Sequence, residues 1–446
     1  MKMVKKTEIS WVVAAVLLLL ALPQRTAAQD VIAGNGFSPY SLFGFGDPVR
    51  QGTAYNLSMA GIGIGDRNVR YINFLNPAAI TAREAKSFMF DFGLENRNVL
   101  YQGNAATSVS PTATGVLKSA NNSFNMHHIV ASFPIAGPSA FKIGVVPFST
   151  VNYQFEADET SDEMLSEVGD IKYTRQGQGG LYQAFLGAGV TLWNRLSLGA
   201  DLDYYFGQID RYSQASFTTQ SSYRAINSGW TYNVSCFGGK VGLQYTQPFS
   251  RTVSATIGAT YSFSSKLRGG ETRYAFAEST TTDTMVFRKY SLDHYRIPAE
   301  LGVGFSVRSA ERWMFGFDYT RQDWTGLTFG GYEGVDFTPG VADNFRAGFE
   351  ITPNLYDVRH WLRRLTYRAG VYHERSYMYL NGSRVVSTGV TLGVGIPVFR
   401  YYNSINVGIE AGQRGTLANN LVRERYFLFT LSFNLHDIWF IPVLYN

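Results

Sequence analysis

The sequence has 446 residues, of which 16% are charged and 15% aromatic, and its formal net charge is +5. Charged residues make up about 25% of a typical soluble protein, so this composition favours a membrane protein. The small positive charge includes N-terminal lysines, and no basic aromatic cluster indicates nucleic-acid binding. After the N-terminus no apolar run approaches the roughly 18 residues of a spanning helix, so in a membrane the chain would span as a closed β-barrel.

Residues 1–28 have the three-part pattern of a cleaved signal peptide. Three lysines precede an apolar core over 11–22, and Ala27 and Ala28 are the small residues that precede a cleavage site. The alternative, an uncleaved anchor helix, would need a longer apolar core. The single cysteine, Cys236, lies far from the cleavage site, so we expect neither an attached lipid at the mature N-terminus nor an intramolecular disulfide.

The stretch 29–86 has no sustained periodicity. Glycine-rich and turn-rich pieces alternate with short apolar runs. Gly61, Gly63 and Gly65 are not a phosphate-binding loop, because the Lys and Ser/Thr of that loop are missing. We predict loops and short helices here, outside the sheet.

From residue 88 onward, apolar and polar side chains alternate with period two. In 196–207, leucines and aromatic residues fall on one face, and Asp201 and Asp203 fall on the other. An even number of such strands, with alternating short and long connections, is typical of outer-membrane barrels. We therefore predict an all-β fold, a membrane-spanning antiparallel barrel of about 14 strands over 87–435. The predicted strands are 88–101, 124–135, 141–155, 180–192, 196–209, 230–246, 252–265, 295–307, 312–324, 343–352, 365–378, 384–396, 404–415 and 424–435.

A barrel of about 14 strands encloses a lumen too wide for its own side chains to fill. Residues 29–86 are the only spare segment of suitable size, so we predict that they form an N-terminal hatch, or plug, in the lumen. A soluble β-sandwich is the alternative fold, but it gives no reason for connection length to alternate. Residues 436–446 are predicted to form a periplasmic C-terminal tail.

The motif Asn76-Pro77-Ala78, in a glycine-rich segment before about 14 strands, resembles the hatch motif of the FadL-type outer-membrane long-chain fatty-acid transporters, in their Bacteroidetes-like branch. Several other short stretches are similar to this family, and the resemblance depends on their order along nearly the whole mature chain. The other similar stretches are 133–134, 147–149, 179–183, 318–319 with Trp324, 367–370 and 437–440.

The resemblance implies a hatch inside the barrel and passage of a hydrophobic molecule sideways through a gap in the wall. Asn76, Pro77 and Ala78 are the candidate hatch residues, because proline fixes the backbone and asparagine can bond to neighbouring strands or loops. A simple turn before the first strand is the alternative. Ligand-contacting residues of the family do not transfer, because this chain departs from the enterobacterial pattern in its loops and at its C-terminal end.

Strand parity places ionisable side chains of both signs on the inner wall. Such groups more often pair with one another and hold a plug than bind a solute. If a fatty carboxylate is bound, Arg346 and Arg368 are the candidate ligand-binding residues, because a guanidinium can bind a carboxylate through two hydrogen bonds. The inward residues are Asp201, Asp203, Glu300, Asp318, Arg346, Glu350, Arg368, Glu374 and Glu410.

No metal, cofactor or catalytic site is predicted. His127 and His128 are neighbours in a strand, so we expect their side chains to point to opposite faces and not to share a metal. A hydrolase would need a serine and an acid beside a histidine. The nearest arrangement is His294 with Asp293 and Ser291, for which an ordinary loop histidine is the simpler interpretation.

We predict a non-enzymatic outer-membrane transporter that passes long-chain fatty acids or other hydrophobic small molecules by diffusion, surrounded by outer-membrane lipid. The alternative is a non-transporting accessory barrel subunit of an outer-membrane protein assembly or secretion machine. In that role the long loops and the tail, with Trp439 and Phe440, would contact protein partners. A general porin is a third interpretation, disfavoured because the plug would obstruct water flow.

Overall fold

The computed structural model describes residues 37–438, apart from 85, 105–115, 136, 160–161, 218–222, 278–282, 311, 328, 330–334 and 399–401. The predicted signal peptide, the first residues of the predicted hatch and residues 439–446 lie outside this range. None of the helices in the described ranges is long and apolar enough to cross a membrane.

Fourteen antiparallel strands of the described chain form a closed barrel, because each strand pairs with its neighbours and the last pairs with the first. This confirms the predicted fold class, and every predicted strand overlaps an observed one. The strands are β1 (Ser87–Asn104), β2 (Val116–Pro134), β3 (Ser139–Asp158), β4 (Ile171–Leu192), β5 (Leu196–Phe217), β6 (Ile226–Pro248), β7 (Val253–Ser262), β8 (Glu300–Ser309), β9 (Trp313–Asp323), β10 (Val341–Ile351), β11 (Thr366–Leu380), β12 (Ser383–Pro397), β13 (Ser404–Arg414) and β14 (Arg423–Ile438).

The two faces of the wall have opposite polarity. Leu202 and Ile257 face outward and are 53% and 63% exposed, whereas the inward Asp203, next to Leu202 in β5, is 2% exposed. Large apolar side chains cover the outer face of many strands, which is the pattern expected of a wall in contact with lipid hydrocarbon.

Strands β3 to β6 are 20 to 23 residues long, about twice the length needed to cross a bilayer. The region 266–294, predicted to be a loop, contains a further hairpin that extends this sheet. Its strands are Gly269–Ala277, which pairs with β6, and Asp283–Ser291. Shorter strands are Asp47–Pro48, Ser265–Lys266, Arg296–Ile297 and Phe337–Pro339, and helices in the connections are Asp162–Val168, Trp361–Arg364 and Ala418–Asn420.

Residues 37–84, which we name the luminal segment, pack against the inner face of the barrel. The segment contains the 3-10 helices Pro39–Leu42 and Pro77–Thr81 and the α-helix Ala54–Leu57. Thr53 is the N-cap of the α-helix, and the Asn56 side chain accepts hydrogen bonds from both the N–H and the hydroxyl of Thr53. Most side chains between these helices are buried.

Inward-facing glycines let the luminal segment lie directly on the wall. A Cβ atom at Gly370 would come within 2.5 Å of the carbonyl carbon of Met59, and one at Gly316 within 2.8 Å of the Ile62 side chain. Several of these glycines are cross-strand partners, for example Gly348 with both Gly316 and Gly370. They form a glycine band that consists of Gly189, Gly199, Gly242, Gly258, Gly304, Gly316, Gly348, Gly370 and Gly393.

We predict that Gly242→Ala lowers the stability of the folded barrel by about 1–3 kcal/mol, the usual cost of overpacking. The added methyl group would overlap the Asn76 side chain and come 2.7 Å from Cδ of Pro77. Gly239→Ala, in the same strand, is the matched control, because its Cβ would lie 3.5 Å from its nearest neighbour. The temperature at which the barrel loses its fast electrophoretic migration measures the difference, and equal temperatures for the two variants would contradict the prediction.

Candidate functional site in the barrel lumen

A cavity of about 350 Å³ lies between the luminal segment and the inner wall. Its lining combines aromatic and aliphatic side chains with charges of both signs. Such a lining matches an amphiphilic molecule better than a bare hydrocarbon. The apolar lining includes Phe45, Phe148, Phe263, Ile297 and Trp324, and the charged lining includes Asp47, Arg50, Glu95, Arg97, Lys240, Glu300, Arg346, Glu374 and Glu410.

Arg50 joins the luminal segment to the wall at one side of this cavity. Its Nε lies 3.0 Å from Oε1 of Glu374, and its Nη1 lies 2.7 Å from Oε2 of Glu410. The guanidinium also covers the ring of Tyr372, 3.9 Å from the ring centre. Arg346, one of the two predicted ligand-binding residues, donates to the same Glu374 oxygen over 2.8 Å while bordering the cavity.

Arg308 makes the second link between the wall and the luminal segment. It bonds to Asp66 over 2.9 Å and to Glu350 over 3.0 Å. Asp66 also accepts a hydrogen bond of 2.8 Å from the Tyr55 hydroxyl. Asp66 and Glu350 are almost fully removed from solvent, and Arg308 is mostly buried. A buried charge is tolerated only when it is paired and hydrogen-bonded in this way.

Arg368, the other predicted ligand-binding residue, lies within the same network. Its Nε donates to Glu350 over 2.9 Å and its Nη1 donates to Asn406 over 2.9 Å. The guanidinium also packs over the rings of Tyr55 and Tyr71, at 4.7 and 4.8 Å from their centres. The Arg368 side chain has no exposed surface. Its observed contacts are therefore those of an anchor for the luminal segment.

One further ion pair and one hydrogen bond from a buried lysine hold the luminal segment at other points on the wall. Arg414 of β13 bonds to both carboxylate oxygens of Asp47 over 2.6 Å. Lys142 of β3 is fully buried, and its amine lies 2.9 Å from Asp201 and donates to the carbonyl oxygen of Phe74 over 3.0 Å.

Asp318 holds the backbone of the luminal segment. Its Oδ2 accepts hydrogen bonds from the N–H groups of Gly63 and Ile64 over 2.6 and 2.8 Å. The glycine-rich stretch therefore binds a carboxylate of the barrel wall through the N–H groups of Gly63 and Ile64. Sequence reasoning identified Asp318 as inward-facing, but local periodicity could not identify its partner.

The motif Asn76-Pro77-Ala78 begins the 3-10 helix Pro77–Thr81. The Asn76 side chain accepts a hydrogen bond from the N–H of Ala78 over 3.0 Å and donates to the Ile64 carbonyl over 2.8 Å. It also donates to the carbonyl of Leu243 in β6 over 3.2 Å. The motif thus fixes one end of the luminal segment to the wall. A role in gating stays a prediction.

The expected orientation of the histidine pair is wrong. A β-bulge opposite Gly93 and Leu94 makes His127 an extra residue in β2, so both imidazoles are buried, with their Nδ1 atoms 3.1 Å apart. The other ring nitrogen of His128 lies 2.6 Å from Asp91. Alternation along a strand holds only where pairing is regular, and the bulge interrupts it here. Within the described ranges no three His, Cys, Asp or Glu side chains group as a metal site would require.

The hydrolase arrangement considered from the sequence is not assembled as a catalytic triad. The Oγ of Ser291 accepts a hydrogen bond from the backbone N–H of Asp293. The His294 ring lies against the neighbouring Tyr295, with 4.0 Å between the ring centres.

The barrel wall is incompletely paired between β2 and β3. The paired stretch runs only from Ile129 with Val145 to Pro134 with Ala140, next to the connection between the two strands. Both strands continue well beyond Ile129 and Val145. On their other sides, β2 stays paired with β1 and β3 with β4 along most of their lengths. We name the unpaired part, between 116–128 and 146–158, the wall gap.

The luminal segment occupies the inner edge of the wall gap. Asp47 and Pro48 pair with Thr150 and Ser149 of β3 as a two-residue strand, and Gln51 donates to the Pro147 carbonyl over 2.7 Å. Farther along the gap, a crevice opens between the two strands. It is lined by Phe37, Tyr101, Ser119, Ala120, Asn121, Gln154 and Glu156.

A closed barrel with an apolar outer face, a polar inner face and its own N-terminal segment against the inner wall is a membrane-spanning barrel of the outer-membrane type. The family model described as BamG matches residues 3–446, and the chain belongs to the BamG family. None of the curated proteins matches the sequence.

Solved structures share the architecture at low sequence identity. The Pseudomonas putida toluene transporter TodX aligns with a TM-score of 0.55 and 15% identity over 87% of this chain and 98% of its own. A Pseudomonas aeruginosa FadL homologue gives 0.54 and 12% over 88% and 99%, and the Ralstonia pickettii toluene transporter TbuX gives 0.52 and 13% over 86% and 98%. At these identities the likeness shows the fold alone. The predicted FadL-type resemblance is confirmed for the fold, and the family is BamG.

We predict that the two candidate arginines respond differently to substitution. Arg368→Gln should lower the stability of the barrel by about 3 kcal/mol or more, because it removes one partner of a buried ion pair. Arg346→Gln should have a smaller effect on stability, since Glu374 keeps Arg50 as a partner, and it should weaken retention of a fatty carboxylate about tenfold. Chemical unfolding and binding of a fluorescent fatty acid measure the two effects, with an uncharged methyl ester as the control ligand. Equal loss of the acid and the ester in Arg346→Gln would contradict this assignment.

Proposed function

We propose that the protein lies in the outer membrane and passes hydrophobic or amphiphilic small molecules, long-chain fatty acids among them, by diffusion between the lumen and the lipid bilayer. The single observation that carries the proposal is the wall gap. A fully paired barrel offers an insoluble molecule no sideways exit, and an aqueous channel gives it no advantage. The mixed apolar and charged lining of the cavity fits the two ends of an amphiphile.

The luminal segment acts as the hatch in this proposal. Its contact with the edge of β3 consists of the short strand Asp47–Pro48 and a few neighbouring hydrogen bonds, which is a small area to release. The ion pairs of Asp66 and the contacts of Asn76 lie elsewhere on the wall and would hold the rest of the segment during that movement. Displacement of residues 45–51 would connect the cavity to the gap. It would also have to break the ion pair of Asp47 with Arg414 and those of Arg50 with Glu374 and Glu410.

A substitution that fills the crevice tests the path. We predict that Ser119→Trp lowers the rate of fatty-acid exchange into vesicles that contain the barrel to less than about half, because the indole would occupy the space between β2 and β3. Ala200→Trp, on the lipid-facing side of β5, is the matched control and should leave the rate unchanged. Equal rates for vesicles with and without the wild-type barrel would refute transport itself. Equal rates for the two variants would refute this path.

A second candidate is an accessory barrel subunit of an outer-membrane protein assembly or secretion machine. Two observations favour it. Several buried ion pairs tie the luminal segment to the wall, as in a barrel that is permanently closed. The extended sheet and hairpin beyond the barrel also carry exposed apolar side chains, including Phe287 at 60% exposure, as a protein contact surface does. Membership of the BamG family is compatible with this role.

Purification from native membranes in mild detergent separates the two candidates. Partner proteins in stoichiometric amounts, together with wild-type rates of fatty-acid uptake in a deletion strain, would support the accessory subunit. A barrel that purifies alone with an amphiphile in its cavity, and a deletion strain with lowered uptake, would support the transporter.

A further inference from the structure

The connection between β10 and β11 is unusual for its end of the barrel. The end with short connections faces the periplasm in outer-membrane barrels. There the connection 352–365 is much longer than the others, and it forms an ordered structure of its own. The other connections at this end are 135–138, 193–195, 249–252, 310–312 and 398–403.

Asp357 organises this connection. One of its carboxylate oxygens accepts hydrogen bonds of 2.9 Å from the backbone N–H groups of both Arg359 and His360. These bonds, that of His360 first, hold the pKa of Asp357 below its usual range. The N–H of Asn354 donates to the Arg363 carbonyl over 2.8 Å, which closes the loop around the 3-10 helix Trp361–Arg364.

A contact with Tyr367 places this helix at the outer flank of the barrel. Tyr367 lies near the start of β11 and directly precedes the inward Arg368, so its side chain points to the outer, lipid-facing side. Its cross-strand partner is Ile351, which is 40% exposed. The Tyr367 hydroxyl donates to the carbonyl of Leu362 over 3.0 Å. The helix therefore lies where the lipid-facing wall meets the periplasmic rim.

The exposed side chains here combine apolar bulk with positive charge. Trp361 and Leu362 are 62% and 55% exposed. Arg359 and Arg363 are exposed beside them. Asp357 is the single acid of the connection, and its Oδ2 lies 3.5 Å from Nη1 of Arg363, whose side chain is 61% exposed. Tryptophan and arginine together are characteristic of segments that lie at the boundary between lipid headgroups and acyl chains.

We propose that residues 356–364 bind anionic phospholipid headgroups in the periplasmic leaflet. Trp361 and Leu362 enter the boundary between headgroups and acyl chains, and Arg359 and Arg363 bind the phosphates. Charge complementarity and the position on the lipid-facing flank favour a lipid surface over a protein partner. The inference rests on the proposed location in the outer membrane and does not depend on transport.

Lipid retention by the full-length barrel tests the charge recognition. In nanodiscs of equal phosphatidylglycerol and phosphatidylcholine, native mass spectrometry should show preferential retention of phosphatidylglycerol by the wild type. Arg359→Gln should reduce that preference about fivefold, because each basic residue near an anionic surface contributes about that factor. This variant leaves the loop intact, since Arg359 bonds to Asp357 through its backbone N–H. Arg321→Gln, an exposed arginine at the opposite end of β9, is the control. No preference in the wild type, or equal losses in the two variants, would overturn the proposal.

Insertion depth is tested by the fluorescence of Trp361, taken as the difference between the wild type and Trp361→Phe. Lipids brominated near the headgroup should quench this signal, and aqueous iodide should not. Quenching by iodide alone would overturn the proposal, and so would protection of the loop by a stoichiometric protein partner. Vesicle exchange of fatty acids, measured on the same variants, should stay at the wild-type rate, so that failure of lipid binding and failure of transport can be distinguished.

Discussion

The close approach of the luminal segment to the wall is the constraint on which the rest of the structure depends. At the glycine band the backbone and side chains of the luminal segment lie directly on the strand backbone, because the glycines have no side chains to hold them apart. A glycine in a strand normally weakens packing, and here it makes room for a second chain segment. The nine glycines of the band therefore serve one packing arrangement.

Because of this close packing, the charged side chains of the inner wall must form ion pairs or hydrogen bonds with the luminal segment or with one another. Water cannot solvate carboxylates such as Asp318 and Glu350 once the luminal segment covers them, so each must be paired or hydrogen-bonded. The segment supplies the backbone N–H groups of Gly63 and Ile64 to Asp318, and Asp66 to Arg308. The cavity is the part of the lumen that this packing leaves unfilled, and its charged lining belongs to the same network.

Two features interrupt the regular barrel wall: the wall gap and the connection 352–365. At the wall gap the edge of β3 that β2 leaves unpaired forms hydrogen bonds with Asp47–Pro48 of the luminal segment. At the end of the barrel with short connections, the connection 352–365 exposes Trp361 and Arg363. The first feature interrupts the pairing of the wall, and the second lies beside its apolar outer face.

Period-two alternation determined the strand number and the inward position of residues such as Glu374 and Asp201, because side-chain direction in a regular strand depends only on the local backbone. Only the tertiary structure decided which charges meet, since Arg50 and Glu374 are brought together by barrel closure across 324 positions. It also decided where alternation fails, as at the bulge of His127, and where pairing stops between β2 and β3. Register and pairing are properties of two strands at once, so no single stretch of sequence contains them.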